Sequence, residues 1–550
     1  MHSILIMSFL LIFLEIIIPS DLDQDNLINN YRFPPIPIHH YDPVLSVIEK
    51  TYIFSGVLPL SYGFIRTSKD FKQGLIHISN KENKFFAEHT QKLINNFIAK
   101  YSINDKQTNY ATQISLTSGI DYLYREPHIV NGEDSIFYGR FRDVDFINKY
   151  DNKWNILDLT LQATYKDHFL FSYRFGLKED WKVLRKRTHG IPHNLLEMNN
   201  NFNQESIFIA QYPKLLLFAG KTRLSAGLGE NGKLLLSENS PPLDAFGFAI
   251  NQNGKVSLHS LTAVIDNITE EHLKEIKPPK YLFIHRIELN PIKRFRVAIT
   301  ELMLINSYMK WQFMNPIKIY HNVTNFSSTN IISAIDAEIL IKNNIILYTT
   351  FAIDELDFNL VEQNFDDKDK LSLAYQLGIK YYNLFNIQNT KLVIEWVKLD
   401  KWFYNHYAGY LGSSRDLTIT YTESVPFPNG AESFTRYLGS PLGGNAQSIY
   451  LNYHFNSFDL QYQYIDKGIP VIFQPPFQFT PENDLSKIHE FSYSAGFRYS
   501  NYSFDKHFDL QLSVYFIKVK NYHNIEGYDH SFPELNIKFK YYFTKWKDSL

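Results

Sequence analysis

The sequence predicts an all-β protein: a transmembrane antiparallel β-barrel of about 18 strands preceded by a small N-terminal helical region. Three observations carry this expectation. Near the C-terminus Leu535, Ile537, Phe539, Tyr541 and Phe543 alternate with Asn536, Lys538, Lys540 and Tyr542, a strand with one apolar-aromatic face closing at a terminal Phe. The chain holds 37 Tyr and 44 Phe, 16% aromatic residues with Trp, while mean hydropathy is −0.26. A barrel reconciles these values, because its lipid face is apolar, its lumen and loops are polar, and aromatics form girdles at both membrane interfaces. From about Tyr110 onward, finally, the hydrophobic period is 2.

Taken in order, the apolar segment Ile4 to Pro19 followed by the polar run from Ser20 to Asp25 reads as a secretory signal over residues 1–20. Residues 21–105 form the helical region, expected on the periplasmic side. There Asp42-Pro43 precedes Val44, Leu45, Val47 and Ile48 as an N-capped helix with Pro in its first turn, and Phe85, His89, Lys92/Leu93 and Phe97 stand at helical spacing. Residues 106–543 form the barrel. Leu157, Leu159, Leu161, Ala163 and Tyr165 make one apolar face, the link Lys166-Asp167-His168 turns the chain, and Phe169, Phe171, Tyr173 and Phe175 make the next. The design returns at Phe458–Tyr464, Phe491–Tyr499 and Phe508–Phe516. A spanning strand takes ~9–11 residues, and with its share of turn and loop about 24, so the region holds about 18 strands, an even number. Thr544–Leu550 is expected as a short tail.

Composition excludes several classes of function. With 55 Lys plus Arg against 57 Asp plus Glu, the net charge of −2 gives no electrostatic basis for a nucleic-acid partner. The absence of Cys removes thiolate metal sites, cysteine nucleophiles, disulfides and a lipidated N-terminal Cys. Gly227-Leu228-Gly229-Glu230-Asn231-Gly232-Lys233 matches a dinucleotide fingerprint and most of a phosphate loop. Both require a helix immediately afterwards, whereas Leu234-Leu235-Leu236-Ser237 follows and ends at Pro241-Pro242, so the segment reads as a glycine-rich turn. The histidines lack zinc spacing, no G-x-S-x-G elbow is present, and neither a metal, a cofactor nor a catalytic residue is expected. Ionisable residues embedded in strand-like runs, Arg286, Glu288, Glu301, Asp354, Glu355 and Glu395, are expected to face the lumen as a polar network, since lipid disfavours them.

Several segments, in this order, resemble the capsule-assembly Wzi family. The stretch FAGKTRLSAGLGENGKLLLSENSPP from Phe218 to Pro242 is similar to a family segment that ends in a leucine run, an acidic residue and proline. His285-Arg286, Glu301 and Asn315-Pro316 follow, then Tyr348 and Ile353-Asp354-Glu355, then Phe434 to Gly443 around Arg436-Tyr437-Leu438-Gly439. Upstream, Pro59-Leu60-Ser61-Tyr62 matches a tryptophan-bearing family stretch. The resemblance implies an outer-membrane protein that binds and retains capsular or related exopolysaccharide at the bacterial surface without catalysis. Its partners would then be that polymer and outer-membrane lipid, with polysaccharide export machinery a candidate to dock on the helical region. Aromatic platforms and polar groups suited to sugar occur at Trp402, Tyr404, Tyr407, Arg436 and Tyr437, and the same aromatics also suit an interfacial girdle. A passive porin for small solutes is the alternative reading of the polar lumen.

Overall fold

The computed structural model describes residues 36–37, 43–54, 56–59, 63–71, 110–125, 157–177, 203–266 apart from 239 and 253, 280–320 apart from 308, 329–356, 371–404 apart from 402, 419–427, 430–468, and 488–547 apart from 506, 507 and 525. The proposed signal and the helical stripe from Phe85 to Phe97 lie outside these residues. Helix α1 is Pro43–Phe54, with Pro43 in its first turn as expected. The strands are β1 (Tyr110–Arg125), β2 (Leu157–Tyr165), β3 (Phe169–Leu177), β4 (Asn203–Tyr212), β5 (Leu215–Thr222), β6 (Leu243–Ile250), β7 (Val256–Asp266), β8 (Lys280–Ile292), β9 (Phe295–Asn306) and β10 (Thr329–Lys342). They continue as β11 (Ile345–Leu356), β12 (Leu371–Tyr382), β13 (Thr390–Leu399), β14 (Thr420–Phe427), β15 (Gly430–Tyr437), β16 (Ala446–Phe455), β17 (Phe458–Lys467), β18 (Glu490–Asp505), β19 (Phe508–Lys520) and β20 (His530–Lys547).

Eighteen of these strands form one antiparallel sheet, and β1 pairs with both β2 and β20, so the sheet closes on itself. Closure leaves no unpaired strand edge, the condition for placing a sheet in lipid. The hairpin of β14 and β15 stands apart, inserted between β13 and β16. Where residues 544–550 were expected as a tail, β20 runs on to Lys547, because β1 begins early enough to pair Thr112 with it.

Alternation sorts side chains between wall and lumen. On β1, Gln113 and Thr117 are buried while Ile114 and Leu116 are 52% and 40% exposed. The outward band continues through residues such as Phe171, Phe208, Ile335, Leu377, Leu460 and Phe539, an apolar belt that only lipid satisfies. Connections also sort by length. Residues 166–168, 213–214, 251–255, 293–294, 343–344, 383–389, 456–457 and 506–507 make short turns at one end, whereas 126–156, 178–202, 223–242, 267–279, 307–328, 357–370, 400–445, 468–489 and 521–529 connect strands at the other. Short turns mark the periplasmic end of such barrels and long loops the cell exterior. Tyr110 pairs with Tyr165 beside a short turn, so the segment before β1 enters from the periplasmic end.

That segment packs against the turns and then passes inward. Ile53 and Leu58 pack on Leu340, Ile346 and Tyr382, Lys50 Nζ donates to Asn389 Oδ1 at 3.1 Å, and the Leu58 N–H donates to the Lys293 carbonyl. Further along, the Phe64 ring meets His259 of β7 edge-on at 6.1 Å, and Gln252 donates to the Ile65 carbonyl. On the opposite side Lys69 Nζ donates to the carbonyls of Asp167 and Gln211, while Asp70 accepts from Thr67 and from Gln211 Nε2 at 2.8 Å. Residues 56–59 therefore meet the turn after β8, and residues 63–71 reach the turn after β2.

Candidate functional site

The lumen is where the polar chemistry gathers, and the chain itself fills much of it. The long connection between β5 and β6 folds back inside: Leu224, Ala226, Leu228, Lys233, Leu234, Leu235, Leu236 and Ser237 are all buried, and the Ala226 N–H donates to the Leu236 carbonyl at 2.8 Å. Three glycines make this possible. Gly227, Gly229 and Gly232 have φ of 105°, 127° and 114°, conformations that side chains rarely adopt. The expected glycine-rich turn thus acts as an anion cradle, although the anion belongs to the protein. Glu395 of β13 accepts from the backbone N–H of Glu230 at 2.8 Å and of Asn231 at 3.2 Å, and from the Tyr348 hydroxyl at 2.6 Å. Successive backbone N–H groups in such a turn concentrate positive potential, and a buried carboxylate needs several donors to replace its hydration.

Around this contact the loop is fastened by charge. Glu230 bridges Lys380 at 2.5 Å and Lys391 at 3.1 Å, and Gln376 donates to the Gly232 carbonyl at 2.9 Å. Lys233, which would grip phosphate in a nucleotide loop, instead donates to Ser225 Oγ at 2.9 Å and pairs with Glu238 at 3.2 Å. The Ser225 N–H reaches the Phe64 carbonyl, so the loop from one end touches the segment from the other.

Arg286 and Glu288 sit on the inner face of β8, fully buried. Arg286 Nε donates to Glu288 at 2.9 Å, and Nη1 donates to Thr300 Oγ1 at 2.8 Å and to Asp336, which also accepts from the Thr350 hydroxyl. Asp354 lies inside as well, accepting the Tyr404 N–H at 2.6 Å. The Glu355 side chain lies outside the described residues. Glu301 is a correction. It shares its face with Ile299, which is 54% exposed, and pairs across the ladder with His285 rather than with the buried Arg286, so it stands on the outer wall. It is tolerated there because the connection between β9 and β10 covers it: Glu301 Oε2 accepts from His285 Nε2 and from the Tyr320 N–H, each at 2.9 Å.

The aromatic candidates divide. Tyr404 is fully buried, donating to the Leu234 carbonyl at 2.5 Å and accepting the Ser440 N–H at 2.8 Å, and Tyr437, 6% exposed, packs on its ring at 5.3 Å. Both fasten the inserted loops to one another, which corrects the expectation of exposed sugar platforms or girdle rings at these positions. Trp402, Tyr407 and the Arg436 side chain lie outside the described residues. Sequence reasoning also missed Asp336, Glu338, Lys380 and Lys391. Their signal was the strand parity itself, since Asp336 and Glu338 alternate with Ile335, Ala337 and Ile339. Among the described residues no three His, Asp or Glu side chains converge as metal ligands.

No known sequence family and no curated protein matches the chain. Among solved structures, it is similar to Wzi of Escherichia coli, described as an outer membrane protein involved in group 1 capsule assembly and a carbohydrate-binding β-barrel. The TM-score is 0.53 at 10% identity, covering 92% of this chain and 99% of that one. OprD of Pseudomonas aeruginosa matches at a TM-score of 0.40 and 9% identity, over 79% of this chain and 95% of that one. A BenF-like porin from Pseudomonas fluorescens matches at 0.40 and 10%, over 79% and 99%. The closed eighteen-stranded sheet, its apolar belt and this likeness of fold make the chain an outer-membrane β-barrel.

Proposed function

We propose that the barrel binds and retains capsular or related exopolysaccharide at the cell surface and does so without catalysis. The observation that carries this reading is the lumen filled by the chain's own backbone. The loop between β5 and β6 is fastened to β12 and β13, and its Ser225 N–H meets the Phe64 carbonyl of the segment that enters ahead of β1. A plugged barrel suits a protein whose task lies on its outer surface, where many weak contacts along a polymer add up through effective concentration. The capsule-assembly function described for Wzi, whose fold the chain shares, points the same way. Trp402, Tyr407 and Arg436 remain the proposed sugar contacts. A partner from the export machinery would meet α1 at the periplasmic end.

Deletion of the gene is expected to leave polymer synthesis intact and to release polymer into the medium. Attached polymer in the deletion strain overturns the proposal. A second reading, the passive porin, rests on the polar lumen around Arg286, Glu288 and Asp336. Planar-bilayer recordings separate the two, since steady conductance by the intact protein favours the porin and silence favours the binding protein.

A further inference from the structure

The outer wall at β8, β9 and β10 carries a covering that no other described part of the barrel shows. Its odd-numbered positions face outward in register: Ile287 opposite Ile299, His285 opposite Glu301, Phe283 opposite Met303. Ile287 and Ile299 are 42% and 54% exposed, yet Phe283 and Met303, two steps nearer the exterior on the same face, are wholly buried. What buries them is the connection between β9 and β10, which lies back along the outside of the barrel. Phe313 and Tyr320 pack onto Phe283, Met303 and Ile305, and the Tyr320 ring packs at a tilt against His285, their centroids 4.4 Å apart. The flap's other side is turned outward with Trp311 75%, Ile317 80% and Ile319 55% exposed.

The depth of this flap follows from geometry. A strand rises ~3.3 Å per residue, and a tilt of ~40° reduces that to about 2.5 Å along the membrane normal, so an apolar band ~25 Å tall takes about 10 residues. Counted from Ile292, the exposed residue at the periplasmic end of β8, about 10 residues reach Phe283. The wall beneath the flap is therefore still at bilayer depth, and the apolar side chains on the flap continue the lipid belt of Ile287, Ile299 and Ile335. We propose that residues 309–320 form a lipid-contacting flap that seats Trp311, Ile317 and Ile319 among the acyl chains and interface of the outer leaflet. The flap shields the His285–Glu301 pair from lipid, while its own polar side chains include Lys318, whose Nζ sits over the Phe313 ring at 5.2 Å. Trp311, 75% exposed, has the amphipathic ring that favours the interfacial level.

Because the chain contains no Cys, a single cysteine can be labelled uniquely. The test places an environment-sensitive fluorophore on Ile317→Cys in the full-length protein refolded into phospholipid vesicles, with Ile299→Cys in the lipid belt as reference. Position 317 is on the surface, so the barrel itself is undisturbed. Nitroxide-bearing lipids are expected to quench position 317 as fully as position 299, while iodide in the water leaves both bright. Quenching of 317 by iodide and not by the nitroxide lipids places the flap in water and overturns the proposal. Protection from both quenchers overturns it as well, assigning the face to a second protein chain.

Discussion

Replacement of Glu395 by Ala removes the anion from the glycine cradle and tests whether that contact holds the lumen shut. The substitution leaves three donors without their acceptor: the half-buried N–H groups of Glu230 and Asn231 and the buried Tyr348 hydroxyl. An orphaned buried donor costs ~1–3 kcal/mol and a half-buried one less, so the three together cost about 2–3 kcal/mol, roughly two powers of ten in the balance between docked and released loop. The barrel ladder does not pass through this contact, and the loop keeps the bridges from Glu230 to Lys380 and Lys391. The expected result is a folded barrel whose loop leaves its seat transiently. In planar bilayers the variant should show bursts of conductance that the parent protein lacks, and trypsin should reach Lys233, which is buried in the parent. A Glu395→Ala protein that migrates as a folded barrel, stays silent under voltage and protects Lys233 as before refutes the assignment of the cradle as the lumen's fastening.

Three further outcomes follow from the same packing. Tyr404→Phe leaves the Leu234 carbonyl and the Ser440 N–H unpaired and should lower the unfolding free energy by ~2–4 kcal/mol, seen as a lower urea midpoint, with no change in sugar affinity since the ring is buried. Gly229→Ala forces a Cβ against the Gly232 carbonyl and Gln376 at a φ of 127°, a strain of ~1–3 kcal/mol that should reduce refolding yield. Burial holds the Asp70 carboxyl above its ordinary value of 3.8, outweighing the hydrogen bonds from Thr67 and Gln211 and the nearby Lys69. The folded state therefore keeps the proton to higher pH than the unfolded chain, so this contribution is full below pH 3.8 and is lost as pH rises through the raised folded value. The urea midpoint of the parent relative to Asp70→Asn should fall over that window, and a pH-independent difference counts against the linkage.

Much of the fold was legible because a membrane wall imposes period 2 on every strand, and residues such as Leu157, Leu161 and Phe171 show their outward face in the sequence alone. The same parity would have marked Asp336 as inward. Glu301 was misread because its environment is set by a connection folding over the wall, a long-range event that leaves no local mark beyond the apolar residues of the flap. Tyr404 and Tyr437 were misread for a related reason: an aromatic residue in a long loop has the same composition whether it anchors in lipid, offers a platform to sugar, or packs inside a plug. The glycine cluster was rightly denied to nucleotides, since no helix follows it, yet that Glu395 fills it could be known only once β5 and β13 were placed across the lumen from one another.

The seam that closes the barrel joins the strands most distant in sequence, Tyr110–Arg125 with His530–Lys547. Residues 63–71 precede that first strand and end up enclosed, so the cylinder must form around a segment already in place, or receive it through the periplasmic mouth before α1 seats against the turns. Ring closure across so long a chain is the slowest contact to win entropically. Defects in the early segment should therefore be read out as failed biogenesis, in the amount of protein that reaches the membrane, ahead of any change in the barrel that does.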